Sequence, residues 1–412
     1  MKELLLIMAP PYWEKLPPAG IGYLAEYLKR RGKKVFFYDL NIRIFHELDQ
    51  AFHKDWTINT SYTGEEFFNL CFKRFKEAFQ QITLIIRKKK ISHVGFSVLK
   101  SNRVFSIKCA EFIKRTFSSI KVIFGGPETF SMEQELYHDN GAIDHFVIGE
   151  GERALLGIIE ERIKDKKTKF LELPKGKGGV DFFPRYEDFM LNMYLKKQSL
   201  PVVSSRGCLY QCRFCTERML FRTFGSKDPR LVFEELQYHY EKNHIRHFVF
   251  YDSIFNGNLI HLESLLDLII QNHIDITWEA QIAIRNDMPL TLLKKLKRSG
   301  CVNLFIGLES ASDRILKLMN KGFRMDEAIE FFKKLKRSDL SYEISLIVHF
   351  PGETDEDFAE TLRFIRDQRD LVNRIAQVNT FKNYPGLDVE IPFDYSAGEG
   401  ERKVNALVRV LN

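Results

Sequence analysis

Two separate series of short, continuously apolar runs, each run followed by an amphipathic stretch, restrict the fold of this chain more than any other feature. In the first series the runs are LLLIMAP (Leu4–Pro10), VFFYDLN (Val35–Asn41), HVGFSVL (His93–Leu99), VIFGGP (Val122–Pro127) and HFVIGEGE (His145–Glu152). Between the first two lies GIGYLAEYLKRRG, whose Ile21, Leu24, Tyr27 and Leu28 recur at helical spacing. Strands apolar on both faces and separated by helices belong to a parallel sheet covered on both sides. Residues 1–163 are therefore expected to form a doubly wound α/β domain with a parallel sheet. The second series runs through Leu200–Gly207, His247–Ser253, Ile274–Gln281, Val302–Ser310, Tyr342–Phe350 and Arg374–Phe381. Six strand–helix repeats in a row predict a partial parallel barrel over residues 191–386. In such barrels chemistry gathers at the carboxyl ends of strands. The charged, glycine-rich stretch beginning KDKKTKFLELPKGKGG makes residues 164–190 the expected linker. Residues 387–412 form a short tail with one amphipathic segment, VNALVRVL.

Composition excludes several classes. With 44% hydrophobic and 28% charged residues over a length of 412, the chain can build sizeable cores and is not a disordered polymer. Its net charge of +7 is modest for this length, and the basic runs Arg87–Lys90 and KDKKTK read as solvated surface or linker. No nucleic-acid partner is expected on charge alone. No stretch approaches the ~18 apolar residues of a membrane span, and the run in MKELLLIMAPP is too short for a signal peptide. These features point to a cytoplasmic protein without a membrane partner. Its six cysteines would then stay reduced.

Three of them are not scattered. In SSRGCLYQCRFC, running directly off the first strand of the second series, Cys208, Cys212 and Cys215 stand in the spacing C-x3-C-x2-C. Three thiolates so close together can take three corners of one iron–sulfur cubane and leave the fourth iron without a protein ligand. Structural zinc takes four ligands, and the closest downstream histidine is His239. Cys71, Cys109 and Cys301 read as small buried hydrophobes.

This loop, with Phe214 just before its last cysteine, resembles that of the radical S-adenosylmethionine (SAM) superfamily, as do IGLES (Ile306–Ser310) and FPGET (Phe350–Thr354). The resemblance covers about Leu200–Gly386 and implies a partial (β/α)6 barrel. It also implies a [4Fe–4S] cluster on the three cysteines, with SAM on the open iron, cleaved by an electron from the cluster to give a 5′-deoxyadenosyl radical. On the same resemblance Phe214 would lie near the adenine. Asp252, Glu309 and Ser310 would contact SAM, although YDS stands where relatives often carry a GGE-like motif. Plainer readings are that Asp252 caps a helix and that Glu309 pairs with an arginine.

The first domain narrows the resemblance. APP…PPAGIGYLAEYLKRRG…VFFYDLN, IFGGPE and the closing GEGE look like the cobalamin-binding radical SAM proteins. In that class a corrinoid lies at the carboxyl edge of the sheet, so that Pro10, Ser97, Gly125, Gly126, Gly149 and Glu150 become candidate cobalamin contacts. Glycines at strand ends serve a tight turn as readily as the close approach of a ligand, and Glu150 and Glu152 are also suited to the first turn of a helix. The D-x-H-x-x-G motif that supplies a lower histidine ligand is absent, and His46 and His53 lack its context. That fits either a corrinoid without a protein histidine or a fold kept without the cofactor.

The resemblance implies an enzyme acting on a small molecule or peptide, drawing electrons from a flavodoxin or ferredoxin. C-methylation at an unactivated carbon leads, followed by oxidative cyclisation or rearrangement without cobalamin. RNA methylthiotransfer would need three further cysteines in the first domain, which has only Cys71 and Cys109. A non-catalytic iron–sulfur protein is the remaining class.

Overall fold

A computed structural model describes residues 3–132, 141–169, 181–372, 374–384, 386–387, 389 and 397–411. The chain divides into two compact units, Met1–Pro201 and Val202–Asn412.

The first unit is built on a sheet of six strands. They are β1 (Glu3–Met8), β2 (Lys34–Asp39), β3 (Ile91–Ser97), β4 (Lys121–Gly125), β5 (His145–Ile148) and β6 (Lys167–Lys169). Their order is β2-β1-β3-β4-β5-β6, and all five pairings run parallel. All of β1 from Leu4 to Met8 is buried, as its unbroken apolar run requires when helices cover both faces. The order reverses direction between β1 and β3. Ligands of doubly wound sheets bind at such a switch point, beyond the carboxyl ends of the strands. On one side of this sheet a phenylalanine-rich core collects Phe67, Phe68, Phe79 and Phe105, with Phe68 and Phe105 rings 5.0 Å apart and edge to face.

β6 lies inside the segment expected to be linker. Its sequence is KTK, too short and too polar to read as a strand, and it pairs with β5 from Phe146↔Lys167 to Ile148↔Lys169. An edge strand needs only one backbone partner, so polar side chains are tolerated there. Residues 170–180 of the expected linker lie outside the described residues.

The second sheet contains β7 (Ser199–Val202), β10 (His247–Phe250), β11 (Thr277–Ile282), β12 (Cys301–Glu309), β13 (Tyr342–Val348) and β14 (Ile375–Thr380), in the order β14-β13-β12-β11-β10-β7. The division between the units falls within β7, whose Val202 carbonyl accepts from the Tyr251 amide just beyond β10. Strands β10 to β14 are parallel throughout. With β7 and β14 as its two edges, this is an open parallel sheet of the partial-barrel kind. A two-stranded antiparallel ribbon, β8 (Ser205–Arg206) with β9 (Gly225–Ser226), stands apart from it.

Helices between the strands bury apolar stripes against the sheet. Met325–Arg337, for instance, buries Ala328, Phe331, Phe332 and Leu335 at helical spacing, and Phe332 stacks 5.5 Å from Tyr342 of β13. The tail contributes one helix, Ala397–Leu411. Its Lys403, 1% exposed, reaches Glu353 at 3.0 Å. Residues 388, 390–396 and 412 of the expected tail are outside the described residues. Among the described residues no helix is long and apolar enough to cross a membrane.

Candidate active site

The cysteine loop begins where β8 ends. Gly207 has φ +75°, and a Cβ there would lie 2.4 Å from the Thr223 carbonyl oxygen, so glycine alone fits between the two limbs of the loop. Inside the loop, Cys215 N donates to the Cys212 carbonyl (3.1 Å), and Tyr210 N points at the Cys208 sulfur (3.4 Å). The outer part is pinned to the segment after β12: Arg213 N donates to the Met319 carbonyl (3.0 Å) and Asn320 Nδ2 to the Gln211 carbonyl (2.8 Å).

Cys208, Cys212 and Cys215 are free thiols, each partly exposed. Burial pushes all three thiols up, Cys215 to about 11, while Lys321 pulls Cys208 and Cys212 back. The Cys208 sulfur also raises Cys212, and both of them raise Cys215. Such a loop disfavours bare thiolates and favours them once positive charge arrives, since thiolate is the metal-binding form. Among the described residues no group of three or more His, Cys, Asp or Glu side chains is arranged around a single metal ion. What the loop offers instead is three free sulfurs along one short stretch, the donor set an iron–sulfur cluster takes. The residues present therefore fit a [4Fe–4S] group.

At the end of β12 a register shift between Gly307 and Glu309 turns the strand, and Glu309 takes φ +70°. Its buried carboxylate lies 3.5 Å from Lys321 Nζ and accepts from Ser345 Oγ at 3.1 Å. Burial raises the Glu309 carboxyl, against the pull of Lys321. A Cβ on Gly307 would sit 2.3 Å from Glu309 Oε1, so a side chain here would push that carboxylate aside. Lys321 Nζ stands 5.5 Å from the Phe214 ring centre and 5.7 Å from that of Phe323. Phe214 packs against the cluster of Ile315, Met319, Phe350 and Phe381.

The structure thus gathers Phe214, Glu309 and two of the cysteines around Lys321, a residue the sequence reading did not single out. It follows the helix Asp313–Met319 and its left-handed cap Asn320, in a loop where a lysine carries no distinguishing signal. Glu309 pairs with this lysine rather than with an arginine. Ser310 is engaged locally: its Oγ accepts from Ser312 N (3.1 Å) and lies 3.4 Å from Thr361 Oγ1. In FPGET, Thr354 caps the helix Asp355–Asp367, and Glu353 accepts from His349 N and from Lys403.

Asp252 is 3% exposed and caps no helix. Its carboxylate accepts from Ser204 N (3.3 Å), Ser204 Oγ (3.0 Å), Ser205 Oγ (2.6 Å) and Ser205 N. Burial outweighs these bonds and pushes its carboxyl up to about 6. The neighbouring Ser253 hydroxyl donates to Glu217.

In the first unit, Pro10, Ser97, Gly125, Gly126, Gly149 and Glu150 all fall at or just beyond the carboxyl ends of β1, β3, β4 and β5. Asn102 ties the switch point together, its Nδ2 donating to the carbonyls of Ala9 (3.1 Å) and Ser97 (3.2 Å). Gly126 has φ +102°, and a Cβ would meet the Val98 backbone at 2.7 Å. Its glycine is thus required by neighbouring chain. Gly149 has φ +89°, and Glu152 is buried in the first turn of the helix Glu152–Ile159. His46 and His53 are engaged by carbonyls, of Met193 at 2.6 Å and Phe45 at 2.7 Å.

An open parallel sheet whose first strand leads into a three-cysteine loop is the form of a radical SAM domain, and the Radical SAM superfamily model matches residues 202–365. Those residues therefore form a radical SAM domain. It is 29% identical over 329 residues to an uncharacterized methyltransferase of Pyrococcus horikoshii, covering 75% of this chain and 70% of that one. With the anaerobic magnesium-protoporphyrin IX monomethyl ester cyclase of Rubrivivax gelatinosus it shares 21% identity, over 85% of this chain and 62% of the cyclase. Among solved structures, the cobalamin-dependent SAM radical enzyme OxsB matches with a TM-score of 0.71 at 16% identity, over 99% of this chain. The methyltransferase TsrM from Kitasatospora setae matches at 0.69 and 16%, over 94%. The chain spans 55% of the length of OxsB and 75% of that of TsrM. Both units therefore have the fold of the cobalamin-dependent radical SAM enzymes.

Proposed function

We propose that this chain cleaves SAM reductively at a [4Fe–4S] cluster held by Cys208, Cys212 and Cys215, and that it uses cobalamin at the first unit's sheet edge to methylate an unactivated carbon. The observation that carries the reading is the loop itself: three free thiols in the C-x3-C-x2-C spacing, beside the buried Glu309 and its partner Lys321. A bound cluster supplies the single electron that SAM cleavage needs, and a bound corrinoid supplies a methyl carrier. The chain's own part is to present three sulfurs and to hold Lys321 against Glu309 and Phe214. Lys321 offers a cation to a carboxylate-bearing ligand and Phe214 an aromatic face to a base. Electrons would come from a flavodoxin or ferredoxin, and the substrate would be a small molecule or peptide. The protein would work in the cytoplasm.

Likeness to two cobalamin-dependent enzymes over nearly the whole chain, together with the switch-point edge at Pro10 and Ser97, supports the corrinoid. The similarity to an anaerobic cyclase favours a second reading, oxidative cyclisation or rearrangement without cobalamin. RNA methylthiotransfer is disfavoured because the first unit's two cysteines, Cys71 and Cys109, are both buried and burial pushes their thiols up.

The test is anaerobic reconstitution with iron and sulfide, followed by hydroxocobalamin, SAM and a strong reductant. Iron, corrinoid retained on gel filtration and 5′-deoxyadenosine are measured against Cys212→Ala. Loss of deoxyadenosine in the variant with about one corrinoid retained supports the proposal. Deoxyadenosine without corrinoid favours the second reading. Neither iron nor product in the native chain overturns both.

A further inference from the structure

The cysteine loop is closed at a neck and held from outside by one strand end. It leaves the ribbon at Arg206 and returns at Gly225, with Ser205 opposite Ser226 and Arg206 opposite Gly225. One step below, Lys227 N donates to the Ser204 carbonyl at 2.8 Å. Two residue pairs form a weak ladder on their own. Four further bonds come from Asp252, two residues beyond the end of β10. Its carboxylate takes both the amide and the hydroxyl of Ser204 and of Ser205, the last of these only three residues before Cys208. Ser253, the next residue, takes hold of the other limb: its hydroxyl donates to Glu217, two residues beyond Cys215. Glu217 is itself largely buried, and burial raises its carboxyl while Ser253 opposes the rise.

We propose that Asp252 and Ser253 are positioning residues that set the span between Cys208 and Cys215 before any cluster enters, instead of being ligands of SAM. The inference deepens the functional reading and rests on it only for what the loop holds. All four acceptor bonds of Asp252 go to the neck, so an incoming SAM group would have to displace them. Bonds to a charged carboxylate are among the stronger ones in a fold. Losing them should free the limb at Cys208, whereas losing the Ser253 hydroxyl should free the limb at Cys215.

The experiment uses the full chain without iron. Alkylation rates of individual thiols are followed by peptide mass spectrometry in the native chain, Asp252→Asn, Ser253→Ala and Ser253→Thr. Expected are a tenfold or greater acceleration at Cys208 in Asp252→Asn, the same order at Cys215 in Ser253→Ala, and near-native rates in Ser253→Thr, which keeps the hydroxyl. Iron retained after reconstitution should fall in the first two variants, while SAM affinity per bound cluster stays native. Unchanged alkylation in both Asp252→Asn and Ser253→Ala overturns the proposal, as does SAM affinity per cluster falling tenfold with alkylation native. If Asp252→Asn does not fold, the Ser253 pair decides alone. A native chain that takes up no iron yet shows the alkylation pattern would sink the functional reading and leave the clamp standing.

Discussion

Lys227 and Glu235 form an ion pair 2.9 Å apart, with side chains 2% and 0% exposed. Burial pushes the Lys227 ammonium down, and Glu235 restores part of the loss. At an effective dielectric constant of about 20, two unit charges at that distance attract by roughly 6 kcal/mol. Removing both ions from water takes back much of that gain, so the pair adds little net stability. Removing one partner is different, because the other stays buried. Lys227→Met should therefore destabilise the second unit by roughly 3–5 kcal/mol, whereas Lys227→Met with Glu235→Leu should fall within about 1–2 kcal/mol of native or above it. Urea unfolding would be followed by the fluorescence of Trp278, buried between Phe250 and Phe255, with Trp13 and Trp56 replaced by phenylalanine. A single variant no less stable than the double one would refute the coupling.

Two other predictions concern stability elsewhere. Asp39, 2% exposed, accepts from Tyr194 Oη (2.5 Å) and Ile42 N (2.9 Å), yet burial pushes its carboxyl up from 3.8 to about 6. The folded state then holds an extra proton between about pH 4 and 6. The stabilisation is complete below pH 4 and lost as pH rises through 6, by roughly 3 kcal/mol in full. The native unfolding midpoint should decline relative to that of Asp39→Asn across this window, and parallel pH profiles would contradict the assignment. Gly300 has φ +97°, and a Cβ would sit 2.1 Å from the Ile276 carbonyl oxygen. Gly300→Ala should cost more than about 2 kcal/mol, read as a lower Tm, and an unchanged Tm would count against this backbone.

Sequence alone was a good guide wherever burial on both faces forces an unbroken apolar run, as in LLLIM of β1 and VIF of β4. It failed where a strand needs no such pattern. β6 is KTK on a sheet edge, and β8 and β9 have two residues each. The cysteines were legible because three thiols in one loop have few other uses. Lys321 was not, since a lysine after a helix end is common and its place beside Glu309 is made by chain folding back. Asp252 was noticed for its position at a strand end, but its four bonds depend on residues 47 and 48 positions earlier in the chain. No local pattern encodes that meeting. FPGET was read as a family mark, and Thr354 turns out to start a helix, whereas Glu152 of GEGE opens the helix its first-turn reading allowed.

The strand orders of the two sheets carry a consequence for synthesis. In the second sheet each new strand lies beside the one made just before it, from β7 through β10 to β14. Such a sheet can grow at one edge as the chain leaves the ribosome, each addition closing only a short loop. In the first sheet β1 is flanked by β2 and β3, and β3 begins only at Ile91. One flank of the most apolar strand in the unit must wait, uncovered, for some eighty residues of further translation. Nascent chains held at that stage should be where this protein depends most on chaperones.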